Sequence, residues 1–454
     1  MHRGTVVIVA AAAIATATYG IRAFEPDDPA RRIQRLDPPV VLGPGSDAGG
    51  FGAPSGRSRE QEVDRLIAFY EEQARRQPST LDLTFLGQLY LQRGRLTGDV
   101  ATYGQAQEAL ELALEISPHD SEALALLAQT RFTSHDFTGA LRLAEDRLAS
   151  DKGDLSALAV AGDARLELGN LEGASDAYAE IARRVPDAAP VLVRLARVAW
   201  LRGDAPGATS LAAAADSAAS AAGLGGVDLA WYRSYRGQLE IESGRYRVAI
   251  ELYRSAVRMA PRYHLPRAGL GRALAAIGRT GGAIRHYRLA VDLLPDPTYI
   301  AALGDLYELA GRFANAREQF ATVEAIASLS RVNEQIYNRP LVVFLADHGL
   351  KPERAVELAA DELRVRKDLY GWDAYAWALH GAGRYTEART AADEALELGT
   401  PDARLLYHSG MIAAALGDMD RARSDLGAAL EMSPAFDPVH APIARRMLEG
   451  LEEA

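Results

Sequence analysis

Ten alanines recur along the chain at an almost constant spacing, and this repeat restricts the fold more than any other feature. The series is Ala106, Ala140, Ala174, Ala208, Ala249, Ala283, Ala316, Ala355, Ala388 and Ala422. Successive members lie 33 or 34 residues apart, except at two places where the separation is 41 and 39. Two further series keep the same phase: small residues from Gly87 to Gly410, and glycines from Gly94 to Gly417. Three series with one period predict an array of repeats.

The segment from Leu265 to Pro295 shows what one repeat contains. Apolar residues at helical spacing lead to Gly278, and a second set that includes Ala283 and Tyr287 ends at the proline. A glycine suits the left-handed residue that closes the first helix, and small residues let two helices approach closely. The pattern therefore predicts an all-α fold, an α-solenoid of antiparallel helix pairs stacked along one continuous core.

The repeat resembles the tetratricopeptide repeat, which has 34 residues and the pattern W-x2-L-G-x2-Y, A-x3-F, P. Leu303-Gly304 followed by Tyr307 matches the first half of this motif, and Ala283 followed by Tyr287 matches the second half. The resemblance covers residues 59 to 434 in about ten repeats. It implies a right-handed superhelix that binds a partner protein or peptide on its concave face, with no chemistry of its own.

The ends of the array and one insertion carry further predictions. A capping helix is predicted at 58–77, the solenoid at 58–434 and a second capping helix at 435–454, because the apolar faces of terminal repeats need a cover. The extra residues at 222–227 contain three glycines. They are interpreted either as a loop tolerated at small cost or as a hinge between repeats one to four and repeats five to ten.

The first 57 residues differ in character from the array. Residues 1–21 contain an uncharged stretch flanked by Arg3 and Arg22, which is typical of either a cleaved signal peptide or an uncleaved transmembrane anchor. Residues 22–57 are rich in proline and glycine and predict a flexible linker. Both interpretations of the first segment place the array outside the cytoplasm, as an exported or membrane-anchored bacterial protein in the periplasm or on the cell surface.

Composition and motifs argue against several classes of function. The formal net charge is −11 and no basic stripe is present, so nucleic acid is not an expected partner. The chain has no cysteine, which excludes disulfides and thiolate metal sites. No nucleophile-elbow, P-loop or H-E-x-x-H motif occurs. The sequence therefore predicts a non-enzymatic protein without a cofactor.

Aromatic, arginine and histidine side chains on the first helices of repeats are the predicted partner-binding residues, because such residues dominate binding energy at interfaces. The set is Trp231, Tyr235, Arg272, Phe344, Asp373, Trp377, His380, Arg404, Tyr407 and His408. The alternative interpretation of these residues is packing between repeats.

Taken together, the features favour a protein–protein interaction scaffold at the cell envelope that binds its partner in the concave groove. The alternative is a metal-binding or enzymatic helical-repeat protein. Its site would require His348, His380 and His408 to converge with Asp347 and Asp373 in the groove of repeats eight to ten.

Overall fold

The structure, a computed structural model, describes residues 59–97, 101–332 and 339–453. The predicted signal peptide or anchor at 1–21 and the predicted linker at 22–57 lie outside the described residues. Within those ranges every regular element is a helix, which confirms the predicted all-α class. None of the described helices is both long enough and apolar enough to cross a membrane.

Twenty-two helices follow one another along the described residues. In chain order they are Arg59–Arg76 (α1), Thr80–Thr97 (α2), Ala101–Ile116 (α3), Ser121–Thr133 (α4), Phe137–Ser150 (α5), Leu155–Glu167 (α6), Leu171–Arg184 (α7), Ala189–Leu201 (α8), Ala205–Ala221 (α9), Gly226–Glu242 (α10), Tyr246–Met259 (α11), His264–Ala276 (α12), Thr280–Leu293 (α13), Pro297–Leu309 (α14), Phe313–Val332 (α15), Arg339–Asp347 (α16), Pro352–Val365 (α17), Leu369–Gly381 (α18), Tyr385–Leu396 (α19), Ala403–Ala415 (α20), Met419–Met432 (α21) and His440–Glu453 (α22).

From α2 to α21 the helices pack as consecutive pairs, α2 with α3, α4 with α5 and so on to α20 with α21. The first helix of each pair is called helix A and the second helix B, and the pairs of the described residues are numbered 1 to 10 in chain order. Helix A of each pair also contacts helix B of the pair before it, while α1 and α22 cover the two ends. The result is a solenoid in which every pair shares its core with its neighbours.

Small residues set the distance between the two helices of a pair. A Cβ atom at Gly162 would lie 2.5 Å from the ring of Tyr178, and one at Gly271 would lie 2.7 Å from the ring of Tyr287. Each alanine of the 34-residue series is at most 1% exposed. The predicted role of these residues in close helix packing is therefore confirmed.

The turn between helix A and helix B repeats as well. Its left-handed residue is a glycine with φ between 60° and 87° at Gly169, Gly203, Gly244, Gly278, Gly311, Gly349, Gly383 and Gly417. In pair 2 a histidine, His135, takes the same conformation with φ of 62°. The next residue often caps helix B, as Asp136 does by accepting a hydrogen bond of 2.8 Å from the backbone N–H of Gly139.

The segment between α9 and α10 corresponds to the predicted hinge. Gly223 has a φ of 76°, and the half-buried Leu224 packs against the apolar cluster that contains Trp231. The structure shows a single conformation of this segment. Hinge movement at 222–227 therefore stays a prediction.

The array curves so strongly that pairs six positions apart touch each other. The turns at Gly169, Gly203 and Gly244 face the loops at 366–368, 397–402 and 433–439, which precede α18, α20 and α22. Leu369 and Leu405 from the later pairs join the apolar cluster formed by the earlier ones. We call this contact between successive turns of the solenoid the seam. The repeat pattern in the sequence does not predict this contact.

Candidate functional site: a cavity enclosed by the seam

Glycines in three successive turns allow backbone to meet backbone at the seam. A Cβ atom at Gly169 would lie 2.6 Å from the carbonyl oxygen of Lys367, and one at Gly203 would lie 3.1 Å from that of Gly399. The equivalent atom at Gly244 would approach the end of α21 to 3.0 Å. A larger residue at these turns would separate the two layers, so here glycine is required by contact as well as by φ.

Hydroxyl groups on the later loops satisfy the carbonyls that end the earlier A helices. Thr400 Oγ1 donates a hydrogen bond of 2.7 Å to the carbonyl oxygen of Leu201. Ser433 Oγ donates to the carbonyl oxygen of Ile241 at 3.2 Å and lies 2.8 Å from the hydroxyl of Tyr246. The last carbonyls of an α-helix lack partners within the helix, so these bonds stabilise the contact.

An ion network is buried at the first contact of the seam. The carboxylate of Glu167, at the end of α6, accepts from Arg197 of α8 at 2.7 Å and also pairs with Arg366 of the later loop. Burial disfavours the charged carboxylate, but the guanidinium groups of Arg366 and Arg197 outweigh it and lower the pKa of Glu167 to about 2. The ionised network therefore joins pairs 3 and 4 to the start of pair 9.

Arg339, the first residue of α16, extends this network. Its Nη2 lies 2.8 Å from a carboxylate oxygen of Glu362 and 2.8 Å from one of Asp368. Asp368 also caps α18 by accepting from the backbone N–H groups of Tyr370 and Gly371. The loop before pair 9 is thus held by helix capping and by ion pairs together.

The seam and the inner faces of the A helices line a partly open cavity of about 690 Å³. Described residues from pairs 2 to 10 line it. Six of its aromatic residues are Trp231, Tyr235, Tyr263, Tyr299, Tyr370 and Trp372. A concave, largely apolar site of this size with a few polar groups is the usual form of a ligand-binding pocket.

Two aromatic contacts order the walls of the cavity. The rings of Trp231 and Tyr235 stack with centroids 5.8 Å apart and an interplanar angle of 10°. His264 Nδ1 lies 3.0 Å from the hydroxyl of Tyr299. Burial lowers the pKa of His264 to about 4, so this histidine is neutral at pH 7.

Two hydrogen-bond donors of the lining have no acceptor among the described residues. They are Nε1 of Trp231, a side chain with no exposed surface, and Nη1 of Arg197, a side chain that is 16% exposed. The two residues are 34 positions apart in the sequence and lie on the neighbouring helices α8 and α10. A buried donor without an acceptor costs free energy. Both N–H groups are therefore suited to donate a hydrogen bond to an oxygen atom of a bound ligand.

The structure separates the predicted partner-binding residues into two groups. Trp231, Tyr235 and Arg272 line the cavity. The other seven are outside its lining and lie between helices of pairs 8 to 10: Phe344, Asp373, Trp377, His380, Arg404, Tyr407 and His408. Five of these seven are buried, while His380 and Arg404 are half-buried. Their role in partner binding stays a prediction.

Several side chains of this second group pack around the indole ring of Trp377. Trp377 stacks on His380 with centroids 4.7 Å apart and on His408 with centroids 4.3 Å apart. Its Nε1 donates to Asp347 at 2.8 Å, and His408 Nδ1 lies 2.8 Å from Asp373. The aromatic and polar atoms of this cluster are thus largely engaged with one another.

The alternative of a metal site needs three or more ligands in one place. Among the described residues no group of three histidine, aspartate or glutamate side chains is arranged to hold a metal ion. His348 instead pairs with Asp305 at 3.0 Å, away from the histidines that flank Trp377.

The part of the cavity contributed by the seam was not predicted from the sequence. Arg366, Asp368 and Asp402 belong to loops that approach the earlier turns across about six pairs. The two aspartates do have a recognisable local signal, since each precedes a helix and caps it. That signal predicts a helix start and carries no information about a contact with pairs 3 to 5.

Two segments of the chain match a known repeat family. A family model described as tetratricopeptide repeat matches residues 236–296 and 374–438. A thermophilic tetratricopeptide repeat protein of Thermus thermophilus is similar over 43% of this chain and 98% of its own, with 25% identity and a TM-score of 0.37. No curated protein matches the sequence.

Two longer solved structures are similar over most of the chain. Yeast Tom70 covers 87% of this chain and 93% of its own, with 12% identity and a TM-score of 0.38. Human IFIT1 in a dimer with PPP-AAAA covers 82% and 94%, with 14% identity and a TM-score of 0.45. The family match is confined to two segments: residues 236–296 and 374–438 of this α-solenoid are similar to tetratricopeptide repeats.

Proposed function

We propose that this chain is a non-enzymatic scaffold that binds an extended segment of a partner protein inside the cavity. The observation that carries the proposal is a concave aromatic site in which Arg197 Nη1 and Trp231 Nε1 have no acceptor among the described residues. An extended peptide presents carbonyl oxygens along its length, and these suit donors that stand on neighbouring helices. In this proposal the helix pairs are ten tetratricopeptide repeats, and their role is to position the residues of this site.

The dimensions of the cavity favour a single segment over a folded surface. A volume of about 690 Å³ lies within the range of small-ligand and peptide pockets. Trp231 is 0% exposed, so a ligand that contacts it must enter between the helices. An extended segment needs a narrower opening for this than a folded domain does.

Selection of peptides tests the proposal. Random heptapeptides displayed on phage are selected against the full-length protein, and their affinities are measured by fluorescence anisotropy. We expect a Tyr263→Ala variant to bind the selected peptides about tenfold or more weakly, because aromatic residues in a desolvated pocket carry much of the binding energy. Tyr263 is half-buried in the cavity wall.

The matched control is Tyr385→Ala, since Tyr385 is 37% exposed and is outside the lining of the cavity. It is expected to leave the affinity unchanged. Circular dichroism melting of both variants shows whether the fold is preserved. Failure to select any peptide, or equal affinity in the two variants, contradicts binding in the cavity.

We also propose that residues 1–21 export the array or anchor it in a membrane, with the array in the periplasm or on the cell surface. The uncharged stretch between Arg3 and Arg22 supports this location. Fractionation of cells that express the full chain with a C-terminal epitope tag tests it. We expect the tag in the envelope or periplasmic fraction, whereas recovery of the tagged chain in the cytosol contradicts the proposal.

A further inference from the structure

The arginines that line the cavity are engaged in ion pairs. Arg197 and Arg366 share Glu167, and Arg272 pairs with Glu242 through two contacts of 2.6 and 3.2 Å. Arg339 pairs with Glu362 of α17 and with Asp368 of the loop before α18. Their positive charges are therefore balanced within the protein.

Four carboxylates of the lining are not balanced in this way. Asp296, Glu394, Glu397 and Asp402 form no ion pair with any residue that the structure describes. Lys367, an exposed residue at the edge, is the cation of the described lining that has no ion-pair partner. Glu394 and Glu397 are exposed, whereas burial raises the pKa of Asp296 and raises the pKa of Asp402 to about 6, below pH 7. The uncompensated charge of the lining is therefore negative, and most of it lies at the exposed positions 394 and 397.

A helix terminus adds to this negative potential. Glu394 lies in the last turn of α19, which ends at Leu396, and Glu397 follows directly. The C-terminal end of an α-helix carries partial negative charge on its free carbonyls. Asp402 caps the N-terminal end of α20 a few residues later, where its carboxylate faces the partial positive charge of that helix. Three carboxylates and the C-terminal end of α19 thus lie along a single segment of the lining.

Aromatic rings complete a surface for a cation. Tyr263, Tyr299, Tyr370 and Trp372 belong to the lining and are half-buried. The faces of tyrosine and tryptophan rings attract ammonium and guanidinium groups. Trp231 Nε1, buried and without an acceptor among the described residues, independently indicates a bound molecule with a carbonyl oxygen.

We propose that the cavity recognises a basic peptide segment, with a lysine or arginine side chain directed to the carboxylates at 394–402. This inference rests on the proposed function and specifies the chemistry of the bound segment. The net charge of −11 also favours a basic peptide, because it raises the local concentration of cationic segments near the protein.

The heptapeptides selected against the full-length protein supply the probes. We expect them to be enriched in lysine or arginine. Replacing the lysine of such a peptide with norleucine, or its arginine with citrulline, removes the charge and keeps most of the shape. This change is expected to weaken binding to the wild-type protein about tenfold or more, as loss of hydrogen bonds and pairs with charged groups commonly does.

The same comparison on a variant locates the interaction. In Glu394→Gln/Glu397→Gln/Asp402→Asn, the charged and neutral peptides are expected to bind within about twofold of each other. Asparagine also caps helices, so the third substitution preserves the start of α20. The control Glu172→Gln/Glu251→Gln/Glu357→Gln removes the same number of charges at exposed positions outside the lining and is expected to retain the tenfold difference.

The outcomes distinguish this inference from the proposed function. Peptides that need Tyr263 yet contain no basic residue, or that lose nothing when their charge is removed, overturn basic recognition and leave the peptide-binding cavity in place. A charge effect that persists in the Glu394/Glu397/Asp402 variant also overturns it. Selection of no peptide at all overturns both.

Discussion

Replacing Arg194 with methionine is expected to lower the free energy of unfolding by about 3–5 kcal/mol, because it leaves a buried carboxylate without its cation. Arg194 Nε and Nη2 donate to Asp163 at 2.9 and 2.6 Å, and the two side chains are 1% and 4% exposed. Tyr178 also donates to Asp163 at 2.7 Å, so one hydrogen bond to the carboxylate would remain. Urea unfolding followed by circular dichroism measures the change.

An exposed pair nearby provides the control. Arg202 pairs with Glu172 at 2.8 Å, but their side chains are 41% and 80% exposed. Arg202→Met is therefore expected to change the stability by less than about 1 kcal/mol. Because repeat arrays can unfold in parts, hydrogen exchange of α6 to α8 is measured alongside. An Arg194→Met protein that behaves like Arg202→Met contradicts the importance of the buried pair.

Gly169→Val is expected to open the seam. A Cβ atom at this position would lie 2.6 Å from the carbonyl oxygen of Lys367, and the backbone φ of +87° is strained for any residue with a side chain. The strain alone costs about 1–3 kcal/mol, and the contact with the later loop adds to it. Double electron–electron resonance between spin labels at Arg202→Cys and Glu397→Cys measures the distance across the seam. The two labels are unique because the chain has no cysteine of its own.

Gly278→Val is the matched variant for this experiment. Its φ is +73°, but no atom lies within 4 Å of the position that a Cβ would take. It therefore has comparable backbone strain without a contact at the seam. We expect a longer and broader distance distribution for Gly169→Val and an unchanged one for Gly278→Val. Equal distributions in the two variants would show that the seam does not depend on close approach at Gly169.

The helix pairs could be predicted from the sequence because their determinants are close together along the chain. The small residue at Gly162 meets Tyr178 only sixteen positions later, and Gly271 meets Tyr287 at the same separation. The same separation recurs in other pairs, where Gly237 meets Tyr253 and Gly304 meets Phe320, so the sequence contains this signal several times. His135 is the exception, since nothing in the repeat pattern indicated that a histidine would adopt the conformation of the turn glycines.

The candidate site was predictable in part. Trp231, Tyr235 and Arg272 were found from the phase of their helices, and they do line the cavity. Trp377 and Tyr407 share that phase, yet they are outside the lining because neighbouring helices and α22 pack against them. Helical phase thus indicates which side of a helix a residue occupies, while a place in the cavity wall depends on what packs against that side.

By itself, the sequence determined the all-helical class, the period of the array, the turns and the small residues at which helices meet. These follow from propensity and from spacings shorter than one or two repeats. Only the tertiary structure decided that the turn at Gly169 meets the loop of Arg366, almost 200 residues further along the chain. It alone also decided that a cavity forms next to this contact. The physical reason is cumulative: each repeat adds a small rotation, and whether successive turns touch depends on the sum of all these rotations.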